Sequence, residues 1–445
     1  MKWIRARPAE MMLIVSILAC VFEGAFRKWI FRESEGPVRY ACYFAKDFIW
    51  IALVIFCRPR GEAIAKKNFK IVLAIGLSLV LTGAALSAAR ELNLVGGILS
   101  FRALVLLPLL SYLSLSRLAG VKIDMVAFVI GGLTVLNAAL GVLQYSSPTD
   151  APINYYASDS AIGATAFEEN VRAVGTFSYI TGYANFATVG SWAGFALLCL
   201  AGGRLSYILA GWGFYFASVV CALVSISRGT VITVLVMLIV LAISGKEAVA
   251  NLAKGIAALA AILCIGYAFN LNPIMVTLSD TVIERHELAD DSVESRMLDP
   301  IFQIGPAADT APIGVGFGTE QVAGVFAETG VMNFHRFEWQ FPRLVLETGL
   351  IGLAGFLITC VGTIYVIFET RKRIPDESLR RIFVLSAFLV GSFFYTNVAF
   401  NHIASFFAWI IVTITLAAAS RPMALPRLAA TGSLFTPHGL ASGRS

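Results

Sequence analysis

The chain has 445 residues, 58% of them hydrophobic and only 14% charged, with a mean hydropathy of +0.78. A soluble domain of this length carries about a quarter of its residues as charged side chains, so that class is excluded. The net charge of +6 is divided among short connections, which points to a lipid bilayer and not to nucleic acid.

The first twenty residues pair a basic start with an apolar core, as a secretory leader does. Apolar residues continue past Cys20 and many more apolar runs follow, so the stretch reads as a first retained helix. A bilayer core takes roughly 20 apolar residues per helix, and runs of that kind number about twelve. They fall at 10–26, 38–57, 70–88, 94–116, 123–146, 184–202, 206–226, 229–245, 254–270, 344–369, 383–400 and 402–420. The predicted fold is all-α: one integral membrane domain over 1–445, with a smaller polar loop at 147–183 and a large, partly helical one at 271–343. The tail at 421–445 is rich in Pro, Gly and Ser. Lys and Arg gather in the connections on one side, chiefly Arg58, Arg60, Lys66, Lys67, Lys70, Arg371, Lys372, Arg373, Arg380 and Arg381. The positive-inside rule then puts both termini in the cytoplasm and both long loops outside.

The first outer connection breaks that rule. Arg27-Lys28-Trp29-Ile30-Phe31-Arg32 is basic. Either these cations snorkel to lipid phosphates, with Trp29 in the interfacial belt, or they have a task within the protein. No repeat of fixed period and no inverted pair of Gly- or Pro-broken helices is visible, features that would have favoured a transporter.

Several familiar chemistries find no anchor. The seven cysteines lie in apolar segments without a C-x-x-C pair, and His286, His335, His402 and His438 are scattered, so neither a disulfide framework nor a metal site is expected. No cofactor is implied either: Gly314-Val315-Gly316-Phe317-Gly318 follows no strand, which removes the nucleotide-binding reading of its glycines.

An ionisable side chain at membrane depth costs about 2.5 to 3.5 kcal/mol on insertion scales, so each calls for a partner or a task. Lys46 and Asp47 read as neutralised by neighbours inside the bundle. Arg102 is open between an anchor and a substrate contact. On the outer side stand Arg172, in Arg172-Ala173-Val174-Gly175-Thr176-Phe177, and Arg228, in Ser227-Arg228-Gly229. The large loop adds Arg285, Arg296, Arg336 and Arg343. A guanidinium offers a planar fork of donors matched to phosphate oxygens, so converging arginines suit a diphosphate. Each alone is equally an interfacial anchor, and Arg285 and Arg296 lie among Asp280, Glu284, Glu287, Asp290, Asp291 and Glu294, where solvated ion pairs would serve as well.

Glu338 and His335, three residues apart, would share a helix face and are candidate proton acceptors. Phe337 and Trp339 would desolvate Glu338 and make its carboxylate a better base. The plainer alternative is an ion pair with Arg336 or Arg343.

At these residues the chain resembles the superfamily of O-antigen ligases and O-antigen or exopolysaccharide polymerases. The resemblance rests on Arg172-Ala173-Val174-Gly175-Thr176-Phe177, Ser227-Arg228-Gly229, Arg296 shortly before Pro312-Ile313-Gly314-Val315-Gly316, and Glu347-Thr348-Gly349-Leu350-Ile351-Gly352, in that order. Glu23-Gly24-Ala25-Phe26-Arg27-Lys28-Trp29 with Lys46-Asp47 is similar to a subgroup of exopolysaccharide-type members. Ligases of the family carry a His-Asn pair nine residues before the glutamate of the last motif, where this chain has Glu338-Trp339. That is closer to the polymerases, and it separates His335 from the ligase histidine.

The resemblance implies a metal-independent glycosyltransferase working at the periplasmic face of the bacterial inner membrane. It would move a glycan from undecaprenyl diphosphate to an acceptor hydroxyl on a second glycan, with a flippase and a chain-length regulator as partners. Arg172, Arg228 and one of Arg285 or Arg296 would clamp the diphosphate, with Arg102, Arg336 and Arg343 as further substrate contacts. Glu338, or His335 as second choice, would deprotonate the acceptor. A ligase transferring to lipid A core or to protein, and a flippase of lipid-linked sugars, are the alternatives.

Overall fold

A computed structural model describes residues 8–31, 36–155, 166–167, 170–244, 293–320, 339–396 and 398–422. Within them the chain is helical almost throughout. The helices are α1 (Pro8–Ala25), α2 (Gly36–Phe56), α3 (Lys66–Ala88), α4 (Leu94–Phe101), α5 (Leu107–Ser114), α6 (Ile123–Tyr145), α7 (Ile180–Leu200), α8 (Leu205–Val224) and α9 (Arg228–Ile243). After them come α10 (Val293–Phe302), α11 (Ile304–Thr310), α12 (Gln340–Lys372), α13 (Glu377–Thr396) and α14 (His402–Ala418). The strands among the described residues are two antiparallel pairs, Gly61–Glu62 with Arg421–Pro422 and Ala166–Phe167 with Asn170–Val171.

Eight described helical spans are long and apolar enough to cross a bilayer, and Arg228–Ile243 and His402–Ala418 are shorter apolar helices. The expected twelve are thus not established. The ninth, at 254–270, lies outside the described residues, and α2 carries Lys46 and Asp47 at its centre. Several helices also start earlier than hydropathy alone suggests: α7 begins at Ile180 and α12 at Gln340.

The bundle has two distinct ends. At one, Arg60 N–H donates to Ser116 O and Gly120 N–H to Ala417 O. The Lys- and Arg-rich connections lie here, so we call it the basic end. At the other, two extended segments, 172–178 and 312–318, drop between helices. We call these straps.

Two helices contain a π turn, and each turns a cation inward. The first, Phe26–Ile30, closes α1 with Phe31 N–H donating to Phe26 O at 2.8 Å, and it carries the buried Lys28. The second, Arg102–Leu106, joins α4 to α5 and carries the buried Arg102. Pro108 explains the second: it cannot donate to Leu104 O, so the ladder widens just ahead of it.

A third irregularity sits in α12. Gly349 has φ 68° and ψ −177°, which breaks the helix there. In an unbroken helix Leu350 N–H would donate to Leu346 O. Instead Leu350 N–H reaches Pro312 O at 2.9 Å, and Leu346 O accepts from Val315 N–H at 2.7 Å. The second strap is therefore spliced into the ladder of α12, and both freed backbone groups are satisfied. This break has no local signature, because Gly349 looks like one more small residue in an apolar run.

Helix α12 packs on α3 through glycines. A Cβ on Gly355 would lie 2.5 Å from Gly76 O, and one on Gly83 would lie 2.6 Å from Gly352 N. Without water to drive apolar association, backbone contact of this kind supplies the dispersion that holds membrane helices together.

Candidate functional site

The polar groups at the strap end make up a site of three parts. Its first part is the strap 172–178, which resembles a short strand captured by side chains. Gln144 Oε1 on α6 accepts from Val174 N–H (2.9 Å) and Gly175 N–H (2.7 Å), and Asn137 Oδ1 accepts from Thr176 N–H (2.9 Å). Thr176 Oγ1 donates to Val21 O at 2.7 Å, and Ala173 N–H donates to Val224 O at 3.0 Å. Gly175 has φ 54°, and a Cβ there would strike the Tyr183 ring 2.6 Å away. Only glycine fits that turn.

The strap delivers Arg172 to the turn between α8 and α9. Arg172 Nε donates to Ser225 O at 3.2 Å, and Arg228 opens α9 three residues later. Both arginines are half-buried. Between them Ile226 has φ 52°, a conformation that costs a β-branched residue of order 1 to 3 kcal/mol. Strain of this size persists only where the surroundings hold it, and it is common where a turn must present a side chain in one orientation.

The second part is a belt of buried charge. Glu23 accepts from Lys46 Nζ (2.8 Å) and Arg27 (3.0 Å), and His402 Nε2 lies 3.3 Å from it. Asp47 receives both forks of Arg102, at 2.5 and 2.9 Å. Tyr43 stands between the two groups, with the Lys46 ammonium 4.5 Å and the Arg102 guanidinium 5.6 Å from its ring centre. Lys28 Nζ donates to Gly175 O at 2.6 Å, and Arg27 donates to Ser178 Oγ at 3.2 Å. The belt and the strap are thus one hydrogen-bonded unit. Among the described residues of this unit, four cations, Arg27, Lys28, Lys46 and Arg102, face the two carboxylates of Glu23 and Asp47.

The third part surrounds the break in α12. Glu347 is fully buried. One carboxylate oxygen accepts from Ser100 Oγ at 2.7 Å, and the other, Oε1, has no hydrogen-bond partner among the described residues. Arg343, one turn earlier, donates to Glu320 O and lies 4.1 Å over the Phe400 ring. The glycine-rich strap 312–318 closes this region. Asn93 N–H donates to Phe317 O (3.1 Å) and Phe317 N–H to Glu91 O (2.9 Å). The glycines of that motif serve backbone approach: a Cβ on Gly318 would sit 2.5 Å from Gly96 C.

Of the residues singled out in the sequence, Arg172 and Arg228 are brought to one turn. Arg102 is paired with Asp47, and Lys46 is neutralised by Glu23. Arg343 faces Glu320 and Phe400. Arg296 lies on α10 with only its backbone described. Glu338, His335, Arg336 and Arg285 lie outside the described residues, as does His286.

The structure corrects one reading. Lys28 does not snorkel to lipid; it is 1% exposed and tied to the strap, and Arg27 is paired with Glu23, while Trp29 is 40% exposed. The π turn swings both cations inward. Two residues were overlooked. Glu347 was seen only as a motif letter, although an acid in the run Leu344-Val345-Leu346-Glu347 meets the same test that flagged Lys46 and Arg102. His402 looked like a helix start and is a partner of Glu23.

No family model matches the sequence, and no curated protein matches it. The four sequence motifs nevertheless pair in space: the Arg172 strap with the Arg228 turn, and the Pro312 strap with the Glu347 break.

Proposed function

We propose that this chain is a membrane-embedded glycosyltransferase that polymerises lipid-linked oligosaccharide repeat units, of O-antigen or exopolysaccharide type. It would work at the periplasmic face of the bacterial inner membrane with both termini in the cytoplasm. The observation that carries the proposal is that Arg172 and Arg228 flank the strained Ser225–Ser227 turn, beside a belt of buried charge. Donors fixed in this way need little reorganisation when negative charge develops on a departing diphosphate. The acceptor hydroxyl attacks the anomeric carbon, the bond from that carbon to the diphosphate oxygen breaks, and the hydroxyl proton passes to Glu338, with His335 as second choice. Arg285 and Arg296 would complete the clamp from the large loop.

The test uses the full chain in vesicles supplied with undecaprenyl diphosphate-linked repeat units. Arg228→Ala abolishes polymer while the protein remains in the membrane; unchanged polymer yield removes the clamp. Glu338→Gln with normal activity moves the proton acceptor to His335. In a deletion strain, accumulation of single lipid-linked repeats supports polymerisation. Finished but unattached chains would instead assign the ligase reaction to lipid A core or protein.

A further inference from the structure

The basic end of the bundle holds a cavity that the proposed chemistry does not use. It measures about 600 Å³ and is lined by Lys66, Lys67 and Lys70 from the first turn of α3, Arg373 from the end of α12, Tyr112 from α5, and Glu62. Three lysines at a helix N-terminus, with no acid in the first turn, oppose the positive end of the helix dipole and repel one another. A fourth cation arrives from a different helix, and a single carboxylate faces the four. The two helices that carry them are fixed relative to each other, because α3 and α12 touch backbone to backbone at Gly76, Gly83, Gly352 and Gly355, and the four side chains are exposed. The four cations thus gather around one cavity, where an anion would relieve their repulsion.

The walls leading away from the cavity are apolar and exposed. On α3, Ile71 and Ile75 follow Lys67 at four-residue intervals and are each 50% exposed; on α12, Val361, Tyr365 and Phe368 precede Arg373 and are also exposed. Those spacings put each set on one helix face. The site therefore joins a cationic head pocket to a lipid-facing apolar seam, a shape complementary to an amphiphile with a charged phosphate. We propose that this cavity binds the phosphate-bearing headgroup of an anionic phospholipid, its acyl chains lying along the seam between α3 and α12. The proposal is independent of the glycosyl-transfer reading.

The full chain is reconstituted in nanodiscs of phosphatidylcholine containing graded phosphatidylglycerol, and retained lipid is measured by native mass spectrometry. The wild type retains phosphatidylglycerol over phosphatidylcholine. In the triple variant Lys67→Gln, Lys70→Gln, Arg373→Gln the preference falls roughly a hundredfold, about fivefold for each cation removed. All three side chains are exposed, and an unchanged melting temperature in pure phosphatidylcholine shows that the fold is intact; should the triple variant fail that control, Lys70→Gln alone must show the fivefold loss. Equal retention of the two lipids by the wild type overturns the proposal, as does a preference that survives the variants. Thermal stabilisation by inorganic phosphate equal to that by phosphatidylglycerol would identify a simple anion site and overturn the lipid assignment.

Discussion

The Asp47–Arg102 pair separates an anchor from a substrate contact. Both side chains are 3% exposed and joined by two short bonds. Removing one partner strands a charge in a low-dielectric interior, which costs about 3 to 5 kcal/mol. Replacing both with apolar residues of similar volume removes the stranded charge together with the pair, and is close to neutral in comparable sites. Asp47→Leu and Arg102→Met should therefore each lower unfolding free energy by about 3 to 5 kcal/mol, while the double variant loses no more than about 2, a coupling of about 4 kcal/mol or more. Guanidinium unfolding of the detergent-purified chain, followed by tryptophan fluorescence, gives all four corners of the cycle. Polymer synthesis by the double variant then reads the role of Arg102: an anchor is replaceable and activity returns with stability. Additive losses would show that the two side chains are not energetically coupled and would refute the reasoning. Restored stability without activity would make Arg102 a substrate contact.

Further tests follow from the other parts of the site. Glu347→Gln preserves the shape of the side chain and its bond from Ser100, so the protein should fold normally; if the buried carboxyl takes part in proton transfer, turnover falls about 100-fold or more, and full activity would assign it to structure. Gly318→Ala meets both the positive φ of 83° and the backbone of α4, and should destabilise by at least about 1 to 3 kcal/mol, measured in the same unfolding assay. Lys28→Met keeps the volume but takes the 2.6 Å donor from Gly175 O and should destabilise by about 1 to 3 kcal/mol in the same unfolding assay; unchanged stability would show that the bond does not hold the strap.

The helices were legible because the bilayer demands long apolar runs, and α1, α3, α6 and α8 lie where hydropathy predicts them. The early starts of α7 and α12 were not, because Ile180-Thr181-Gly182-Tyr183 and Gln340-Phe341-Pro342-Arg343 mix polar and apolar residues and find their partners only in the folded bundle. Gln340 makes this plain: its amide donates to Phe394 O at 2.5 Å and accepts from Ala399 N–H at 3.2 Å, contacts no local pattern encodes. The same holds for the site. Isolated charges within apolar runs identified Lys46, Asp47 and Arg102, but not which charge meets which. The inward turn of Lys28 depends on a π turn, and the splice at Gly349 on a strap some 35 residues upstream, so neither has a local signature.

The first helix is made long before the groups that complete it. Lys28 finds its acceptor at Gly175, 147 residues later in the chain, and Glu23 meets His402 only on the last helix. While the nascent chain enters the membrane, Glu23 has Arg27 one turn away and Lys46 on the second helix to offset its charge, whereas the Gly175 carbonyl that Lys28 meets in the finished bundle is still to be made. The α1–α2 hairpin is therefore completed only when the 172–178 segment arrives. The order of the chain thus offers the strap to the first hairpin before the last helix can bring His402 to Glu23.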